Sequence, residues 1–427
     1  MQHKLGIILF PAYDWAISPE HPEREERLLY THMQLLEEGF TDLPGVKEFK
    51  PGLASDEDIY RVHIKPPGVE KIAAFAHRVS AGGSLAAGEL VMGGGCLKSL
   101  ALVRPPGHHA MKIVHGGRGF CNINNEAIMV ERLRRDYGLK RVAIVDTACH
   151  HGDGTQDIYW HDPDTLFISI HQDGVYPGGG SLVEMGSPGA FGSTVNIPLP
   201  PETGDEGLML AAREIIRPIL DQWRPDLLVH SAGLGSHFTD SMTSMNMTAA
   251  GFGELSALIN ADVAVLEGGY SIKGGLPYAS LAIGMSMAGL PWQGIEEPWL
   301  ARERLVTSPG NMDSIKKCVE EIHALRATRP DRISSYRKEG KWWVRERVIA
   351  YDNHPLEGGS SYLGYMHEKR REEIRICQDC PGLLVMHTLS EVSPPTAYLI
   401  HPRNICETCL SASRDLEKRY ATEPRVG

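Results

Sequence analysis

Two adjacent imidazoles are the first residues of this sequence whose types and spacing suit catalysis. His108 and His109 follow the run Arg-Pro-Pro-Gly at 104–107. The prolines and the glycine predict a stiff loop, on which the pair would act as a general base and a general acid, provided that a carboxylate orients each ring. Such a doublet is also typical of an ordinary surface loop, so it indicates catalysis only together with other residues.

A second group of candidate residues follows a predicted strand that ends at Asp146. His150 and His151 come next, and Asp153 follows them, so carboxylates and imidazoles lie within a few residues of one another. This arrangement suits either a metal site or His–Asp pairs that relay protons. The other interpretation is a polar strand end with a glycine kink.

The cysteines fall into two groups. Cys377 with Cys380 and Cys406 with Cys409 form two Cys-x-x-Cys pairs, which 25 residues separate. Four thiolates in such pairs predict a structural zinc site at the tips of a small ribbon, which would have too little core to fold without the metal. The alternatives are coincidental pairs or a disulfide. The remaining thiols are isolated, which is typical of a reducing compartment: Cys96, Cys121, Cys149 and Cys318.

Short apolar or β-branched runs alternate with helical stretches from about residue 70 to residue 290. This alternation predicts an α/β fold in which a parallel sheet carries helices on both faces. Ligands collect at the carboxyl ends of the strands in such sheets, so the polar loops that follow the strands should share one rim. A further buried strand is expected at residues 5–10. The other predicted strands are 100–103, 141–146, 165–170, 227–231 and 261–266.

Length and charge limit the remaining possibilities. The chain has 427 residues, 42% of them hydrophobic, and a formal net charge of −11. The pattern predicts a large domain at 1–300, a helical and irregular connecting segment at 301–370 and a four-cysteine domain at 371–427. Nucleic-acid binders need clustered Lys and Arg, so the acidic balance argues against a nucleic-acid partner. No apolar run reaches the roughly 18 residues of a membrane helix, which predicts no membrane association and a cytoplasmic location.

Seven ordered motifs resemble the zinc-dependent histone deacetylase family, which includes bacterial acetylpolyamine amidohydrolases and acetoin-utilisation proteins. The resemblance covers roughly residues 1–300 and implies the arginase/deacetylase-like fold. The motifs are His-Pro-Glu at 21–23 with Arg27, Arg-Pro-Pro-Gly-His-His at 104–109, Gly-Phe-Cys-Asn at 119–122, His-His-Gly-Asp-Gly-Thr-Gln at 150–156, Ser-Ile-His at 169–171, Ser-Ala-Gly at 231–233 and Glu-Gly-Gly-Tyr at 267–270.

The resemblance implies a deacetylase that acts on an acetyl-lysine or acetyl-polyamine chain. In that family a zinc-bound water attacks the amide carbonyl, a histidine takes its proton and a tyrosine hydroxyl stabilises the oxyanion. A K or Na ion is also implied near Asp146 and Ser169. Carried onto the matching positions, the resemblance assigns His108 and His109 as base and acid, Asp146 and Asp153 as their orienting carboxylates, Tyr270 as the oxyanion tyrosine, Phe120 and Tyr176 as aromatic walls, and Gly268 and Gly269 as further substrate-binding residues.

The zinc site departs from the family pattern at two positions. In the family sequence Asp-x-Asp-x-His-His, the second Asp and the first His bind zinc. Here Ala148 stands in place of that Asp, and only His150 remains. The third family ligand is an Asp two residues after Ser-Ala-Gly, where this chain has Gly235. A catalytic zinc usually has three protein ligands, so the ordinary zinc mechanism is not expected here.

Two hypotheses follow from this mixture of retained and replaced residues. In the first, the chain is an inactive relative that binds acylated amines or acyl-lysine chains, as a homo-oligomer or in a complex with an active paralogue. In the second, it is an active deacetylase with a remodelled metal site, built from His150, His237 and a third donor such as His171. Cys149 is expected in the core instead, because side chains alternate along a strand and it follows Ala148.

Overall fold

An eight-stranded sheet forms the centre of the computed structural model, which describes residues 2–10, 20–64, 75–301, 305–339, 342–352, 354–355, 362–363, 366–391 and 393–422. Every pair of neighbouring strands in it is parallel, and the strands run β2-β1-β3-β8-β7-β4-β5-β6 across the sheet. In chain order they are β1 (His3–Leu9), β2 (Val46–Phe49), β3 (Cys96–Leu102), β4 (Val142–Asp146), β5 (Thr165–Gln172), β6 (Thr194–Leu199), β7 (Leu227–Ala232) and β8 (Val263–Leu266).

Helices cover both faces of this sheet, which confirms the predicted α/β class. In β4, Ala143 and Val145 pack into one hydrophobic core, whereas Val142 and Ile144 pack into the core on the opposite face. Because side chains alternate along a strand, a strand buried on both faces is apolar at every position. The helices are α1 (Glu26–Glu37), α2 (Asp56–Val62), α3 (Phe75–Met92), α4 (Asn125–Tyr137), α5 (Asp153–Tyr159), α6 (Asp205–Ala211), α7 (Arg217–Trp223), α8 (Ala249–Ile259), α9 (Gly275–Met287), α10 (Pro309–Ala327) and α11 (Arg329–Glu339).

The strands predicted from the apolar runs all coincide with observed strands, although β3 begins earlier than expected, at Cys96. The sequence pattern does not reveal β2 and β6. Lys47 and Glu48 are exposed in β2, and Asn196 and Pro198 interrupt the apolar run of β6. None of the helices within the described residues combines the length and the apolar character that crossing a bilayer requires.

A second sheet, with four antiparallel strands, follows α11 and carries the cysteine pairs near one end. It begins at Trp342, whereas the sequence pattern indicated a C-terminal domain from residue 371. That boundary was wrong because one strand of this sheet, residues 366–375, buries charged side chains. Its buried face includes Glu368, Arg370 and Glu372, and such a charged sequence is typical of an exposed loop. The elements are β9 (Trp342–Tyr351), a short pair β10 (His354–Pro355) and β11 (Tyr362–Leu363), β12 (Met366–Arg375), β13 (Leu383–Ser390), β14 (Ser393–Ile400) and α12 (Glu407–Thr422); β10 pairs with β11, and the four-stranded order is β14-β13-β12-β9.

Candidate functional site

The two candidate catalytic histidines lie in the loop after β3, at the carboxyl edge of the parallel sheet. Nδ1 of His108 lies 3.0 Å from Oδ2 of Asp146, the last residue of β4, and both side chains are buried. Burial alone would lower the pKa of His108, but the Asp146 carboxylate, together with Glu126 and Asp153, outweighs this effect and raises the pKa above its ordinary value. The His108 imidazole is therefore protonated more readily than an ordinary histidine.

His109 has the opposite electrostatic balance. Its Nδ1 lies 2.9 Å from Oδ1 of Asp153, the first residue of α5, and Arg118 binds the other oxygen of that carboxylate. Burial, followed by the charges of His108 and His150, lowers the pKa of His109 well below its ordinary value. The two ring centroids lie only 4.1 Å apart. Neighbouring imidazoles with opposite pKa shifts suit a proton acceptor and a proton donor.

Glu267 supports the histidine loop from the buried side. Its Oε2 accepts hydrogen bonds from the backbone N–H groups of Gly107 (2.7 Å) and His108 (3.0 Å). Burial and the neighbouring Glu126 carboxyl raise the pKa of Glu267 well above its ordinary value. His108, Cys121 and Glu267 bring their ligand atoms within 4.8 Å of one another, but burial also raises the pKa of the Cys121 thiol. A metal needs deprotonated ligands, so this trio is poorly suited to hold one.

Arg27 holds Tyr270 at the opposite side of the site. Its Nε donates to the carbonyl oxygen of Gly269 (2.9 Å), its Nη2 donates to the carbonyl oxygen of Glu267 (2.6 Å), and its charged end lies 4.8 Å from the Tyr270 ring centroid. Glu23 forms an ion pair with Arg27, and both side chains are fully buried. Burial raises the pKa of Tyr270 well above its ordinary value, so the phenol keeps its proton and can donate a hydrogen bond to a developing oxyanion.

These residues surround a cavity of about 380 Å³ that has aromatic walls. The ring centroid of Phe120 lies 5.4 Å from that of Tyr270, and the ring centroid of Tyr176 lies 5.2 Å from that of His109. The cavity thus brings together most of the residues predicted for substrate and catalysis, whereas Asp146 and Asp153 lie behind the histidines. Its lining comprises His21, His108, His109, Gly119, Phe120, Ala148, Cys149, His150, Tyr176, Gly235, Met242, Gly268, Gly269, Tyr270 and Asp352.

The wall of the cavity beside His150 has few groups that could bind zinc. His150 shares this wall with the methyl group of Ala148 and with Gly235, which has no side chain. Among the described residues, His150 belongs to no trio of His, Cys, Asp or Glu whose ligand atoms lie within 4.8 Å of one another. Burial, with a contribution from His108, lowers the pKa of His150 to about 4. A neutral imidazole without two further ligands does not fit a catalytic zinc ion, which needs three protein ligands.

The remodelled metal site expected from His237 and His171 is not assembled. Nε2 of His237 lies 2.5 Å from Oε2 of Glu297, and its Nδ1 lies 2.9 Å from Oγ1 of Thr239. Nδ1 of His171 lies 2.9 Å from Oγ of Ser169. Neither ring is among the residues that line the cavity. The prediction of His237 as a pocket ligand was wrong, because the fold turns both of its ring nitrogens toward other partners.

The four paired cysteines, by contrast, converge as predicted. The Sγ atoms of Cys377, Cys380, Cys406 and Cys409 lie within 4.8 Å of one another, and those of Cys377 and Cys406 are 3.6 Å apart. We call these four residues the cysteine cluster. Burial would raise the pKa of Cys377, but hydrogen bonds from the backbone of neighbouring residues outweigh it and lower the pKa to about 7. Four thiol ligands at these separations fit a tetrahedral zinc ion of structural type.

Asp352 reaches the cavity from the C-terminal sheet, directly after β9. Its Oδ2 accepts a hydrogen bond from the backbone N–H of Gly119 (2.5 Å) and another from the hydroxyl of Tyr176 (3.2 Å). Sequence reasoning missed Asp352 because 233 residues separate it from Gly119 and no local motif surrounds it. The C-terminal sheet is therefore part of the site.

Comparison with known proteins supports the class that this fold and site suggest. Residues 65–282 match the histone deacetylase domain. A probable deacetylase of Archaeoglobus fulgidus is 42% identical over 340 residues, which cover 70% of this chain and 93% of that protein. A histone deacetylase-like amidohydrolase of Pseudomonas aeruginosa is 32% identical over 323 residues, which cover 66% of this chain and 82% of that protein.

A solved structure supports the same fold. The crystal structure of the HDA15 HD domain superposes with a TM-score of 0.65 at 24% identity, and the match covers 79% of this chain and 98% of that one. At this identity the similarity shows the arginase/deacetylase-like fold alone. Together with the domain match and the archaeal relative, it leads to one conclusion: this chain belongs to the histone deacetylase family.

Proposed function

We propose that this protein binds acylated amines, such as an acetyl-polyamine or an acetyl-lysine chain, in the aromatic cavity without hydrolysing them by the ordinary zinc mechanism. The observation that carries the proposal is the composition of the cavity wall. Phe120 and Tyr176 offer apolar faces to an acyl chain. Ala148 and Gly235 leave His150 without two carboxylate neighbours, so the part of the wall that the structure describes lacks the ligand set that zinc hydrolysis needs.

The retained His–Asp pairs support a second candidate, a deacetylase with a metal site of another kind. His108 and His109 keep opposite pKa shifts and stand beside Tyr270, which suits acid–base catalysis. Without a metal, however, the attacking water would have to be activated by a histidine alone. The binding function therefore has the stronger physical basis.

Elemental analysis of the purified full chain tests the metal assignment directly. We expect about one zinc ion per chain, held by the cysteine cluster. The variant Cys377→Ser/Cys406→Ser should lose this zinc, whereas His150→Ala should keep it. A second equivalent of metal that disappears in His150→Ala would contradict the binding-only proposal and favour the alternative enzyme.

Restoring the two carboxylates tests whether their loss explains the lack of zinc chemistry. A Cβ atom at Gly235 would come no closer than 3.4 Å to any atom beyond its chain neighbours, so a side chain can begin there without a backbone clash. Ala148→Asp/Gly235→Asp should gain a second zinc and hydrolyse an acetyl-lysine peptide. The matched control Ala148→Asn/Gly235→Asn has the same shape but no negative charge and should gain neither. Hydrolysis by the unaltered chain with only one zinc bound would refute the proposal.

Three further elements of the proposal concern the surroundings of the site. We place a K or Na ion near Asp146 and Ser169, which are partners in register between β4 and β5. We place the protein in the cytoplasm, where reduced thiols are stable. An active paralogue or a second copy of the chain is the proposed protein partner, and light scattering of the purified chain distinguishes a homo-oligomer from a monomer.

A further inference from the structure

A second cavity lies at the junction between the parallel-sheet domain and the C-terminal sheet. Its volume is about 400 Å³, close to that of the aromatic cavity, and within the described chain the two cavities share no lining residue. Parts of α2, α4 and α5 form one side, and parts of β12, β13 and β14 form the other. Cavities of this size are typical of small-molecule sites. We call this space the junction cavity.

Three hydrogen-bond donors on the lining of the junction cavity have no acceptor within the described chain. Tyr159 and Trp160 are only 3% and 7% exposed, and neither the phenol hydroxyl nor the indole N–H has a hydrogen-bond partner there. The ammonium group of Lys112 forms neither a hydrogen bond nor an ion pair with any described residue. Because buried donors in proteins are nearly always paired, these three groups indicate a bound acceptor.

The carboxylates on this lining, by contrast, already accept bonds from the protein. They are Glu131, Asp157, Asp162, Asp164 and Glu372. Arg403 forms ion pairs with Glu131 and Asp162, and Arg134 binds the same two carboxylates. Arg347 binds both Asp157 and Glu372. Asp164 accepts a hydrogen bond from Nδ2 of Asn404 (3.4 Å). Each carboxylate thus has a donor of its own, whereas the three donors lack an acceptor.

Lys112 is the one cation of this lining that has no counter-ion in the described part of the chain. The lining cations are Arg61, Lys112 and Arg403. Arg61 forms ion pairs with Glu57 and Asp58, whereas Arg403 is bound to two of the carboxylates named above. Burial lowers the pKa of Lys112, although three carboxylates at a greater distance raise it. An anion beside Nζ would therefore stabilise the ammonium group.

Lys112 and Tyr159 lie in the same part of the junction cavity. Burial has the largest effect on both side chains, since it lowers the pKa of Lys112 and raises the pKa of Tyr159. The same three charged groups also act on both pKa values: Glu131, Asp162 and Arg403. A single ligand group can therefore approach the ammonium group and the hydroxyl together.

The remaining lining suits an apolar ligand body. The two lining histidines bond elsewhere, because Nδ1 of His161 lies 2.7 Å from Oγ of Ser187 and Nε2 of His401 lies 2.5 Å from Oγ of Ser413. Apolar side chains contribute from both sides of the junction, among them Val62, Ile158, Leu384, Met386 and Ile400. A ligand with one acceptor end and an apolar body matches this lining.

We propose that the junction cavity is a second ligand site and that its ligand is a small carboxylate with an apolar body. The carboxylate pairs with the ammonium group of Lys112 and accepts a hydrogen bond from the Tyr159 hydroxyl, and Trp160 offers a third donor. A single negative charge matches the single unpaired ammonium group, whereas the nearby carboxylates Glu131 and Asp162 would repel a doubly charged phosphate. This site is separate from the aromatic cavity, so it adds to the proposed function without depending on it.

Calorimetric titration of the full chain with two matched ligands tests this site. 2-Naphthoate and 2-naphthamide have nearly the same shape, but only the first carries a negative charge. We expect 2-naphthoate to bind about tenfold more tightly, because a hydrogen bond between charged groups is stronger than a neutral one. Lys112→Met, which keeps the length of the side chain, should lose this preference. The matched control Lys316→Met, at a position that is 59% exposed, should keep it.

A variant of the aromatic cavity decides where the ligand binds. Phe120→Ala removes one aromatic wall of that cavity and should leave the affinity for 2-naphthoate unchanged. Lost affinity in Phe120→Ala would place the ligand in the aromatic cavity and overturn the second site. Equal affinity of the unaltered chain for the two ligands, or no binding of either, would also overturn it.

A variant at Tyr159 keeps the proposal testable if Lys112→Met does not fold. Tyr159→Phe removes only an unpaired hydroxyl, so it should fold normally and weaken 2-naphthoate binding about fivefold. Unchanged affinity in Tyr159→Phe, or a preference for 2-naphthoate that survives in a folded Lys112→Met, would refute the assigned contacts. None of these outcomes bears on the binding of acylated amines in the aromatic cavity.

Discussion

Replacing Asp157 by Asn should loosen the junction between the C-terminal sheet and the parallel-sheet domain. Asp157 lies in α5, one turn after the carboxylate that orients His109. Its Oδ2 accepts a hydrogen bond from Nη1 of Arg370 (3.0 Å), and Arg347 binds its Oδ1. Burial would raise the pKa of Asp157, but Arg370 and Arg347 outweigh this and hold the pKa well below its ordinary value. The carboxylate is therefore charged at neutral pH.

The size of the effect follows from the charges that remain. The junction contains a cluster of three carboxylates and three arginines: Asp157, Glu368, Glu372, Arg345, Arg347 and Arg370. The net charge of this cluster is therefore zero before the change and +1 after it. Breaking a buried ion pair by removing one partner costs about 3–5 kcal/mol. Arg370 and Arg347 each keep another carboxylate, Glu368 or Glu372. We therefore expect the lower value, about 3 kcal/mol.

Urea unfolding followed by tryptophan fluorescence measures this change. Trp342 and Trp343 lie in β9, and the ring centroid of Trp160 lies 4.1 Å from the guanidinium carbon of Arg345, so the signal reports on the junction. Asp221→Asn is a matched control that removes the same charge from an exposed surface pair.

The control fixes the scale of the comparison. Asp221 and its partner Arg217 are 62% and 40% exposed, so water and salt screen their pair and Asp221→Asn should leave the unfolding free energy nearly unchanged. Equal unfolding free energies for Asp157→Asn and Asp221→Asn would refute the conclusion that the buried cluster joins the two sheets.

Three further predictions concern metal, packing and pH. Removing zinc with a chelator should lower the unfolding temperature of the C-terminal sheet in calorimetry, and added zinc should restore it, because the four thiolate ligands contribute folding free energy. Gly154→Ala should destabilise the chain by about 3 kcal/mol in urea titrations, because the new Cβ atom would lie 2.3 Å from the backbone carbonyl carbon of His109. In the control Gly310→Ala, the new Cβ atom would have no such neighbour within 4 Å, so this variant should be neutral or slightly stabilising. Burial lowers the pKa of His63 from 6.5 to about 4, so the unfolded chain takes up a proton at this position first. As the pH drops from about 6.5 to about 4, His63 alone should lower the unfolding free energy by up to about 3 kcal/mol, and the total loss should be smaller by that amount in His63→Gln.

The local pattern of the sequence was sufficient for the fold class and for the parallel strands that carry the histidines and Tyr270. Runs such as residues 142–145 of β4 are apolar at every position, because both faces of the sheet are covered. Such runs, when polar loops follow them, predict a parallel sheet with a ligand rim. The same pattern fails for β12, in which Glu368, Arg370 and Glu372 are buried as ion pairs. Burial of paired charge depends on a partner surface, which composition does not encode.

The sequence by itself determined the family, the pairing of His108 and His109 with carboxylates in the next strand–loop segment, and the convergence of the cysteine pairs. These features depend on motifs whose residues lie close in the chain or at the ends of neighbouring strands. Only the tertiary structure decided that His237 faces Glu297 instead of the cavity, and that Asp352 joins the wall 233 residues away from Gly119. Ring orientation and long-range contacts are set by packing between elements, and a single sequence carries no local signal of either.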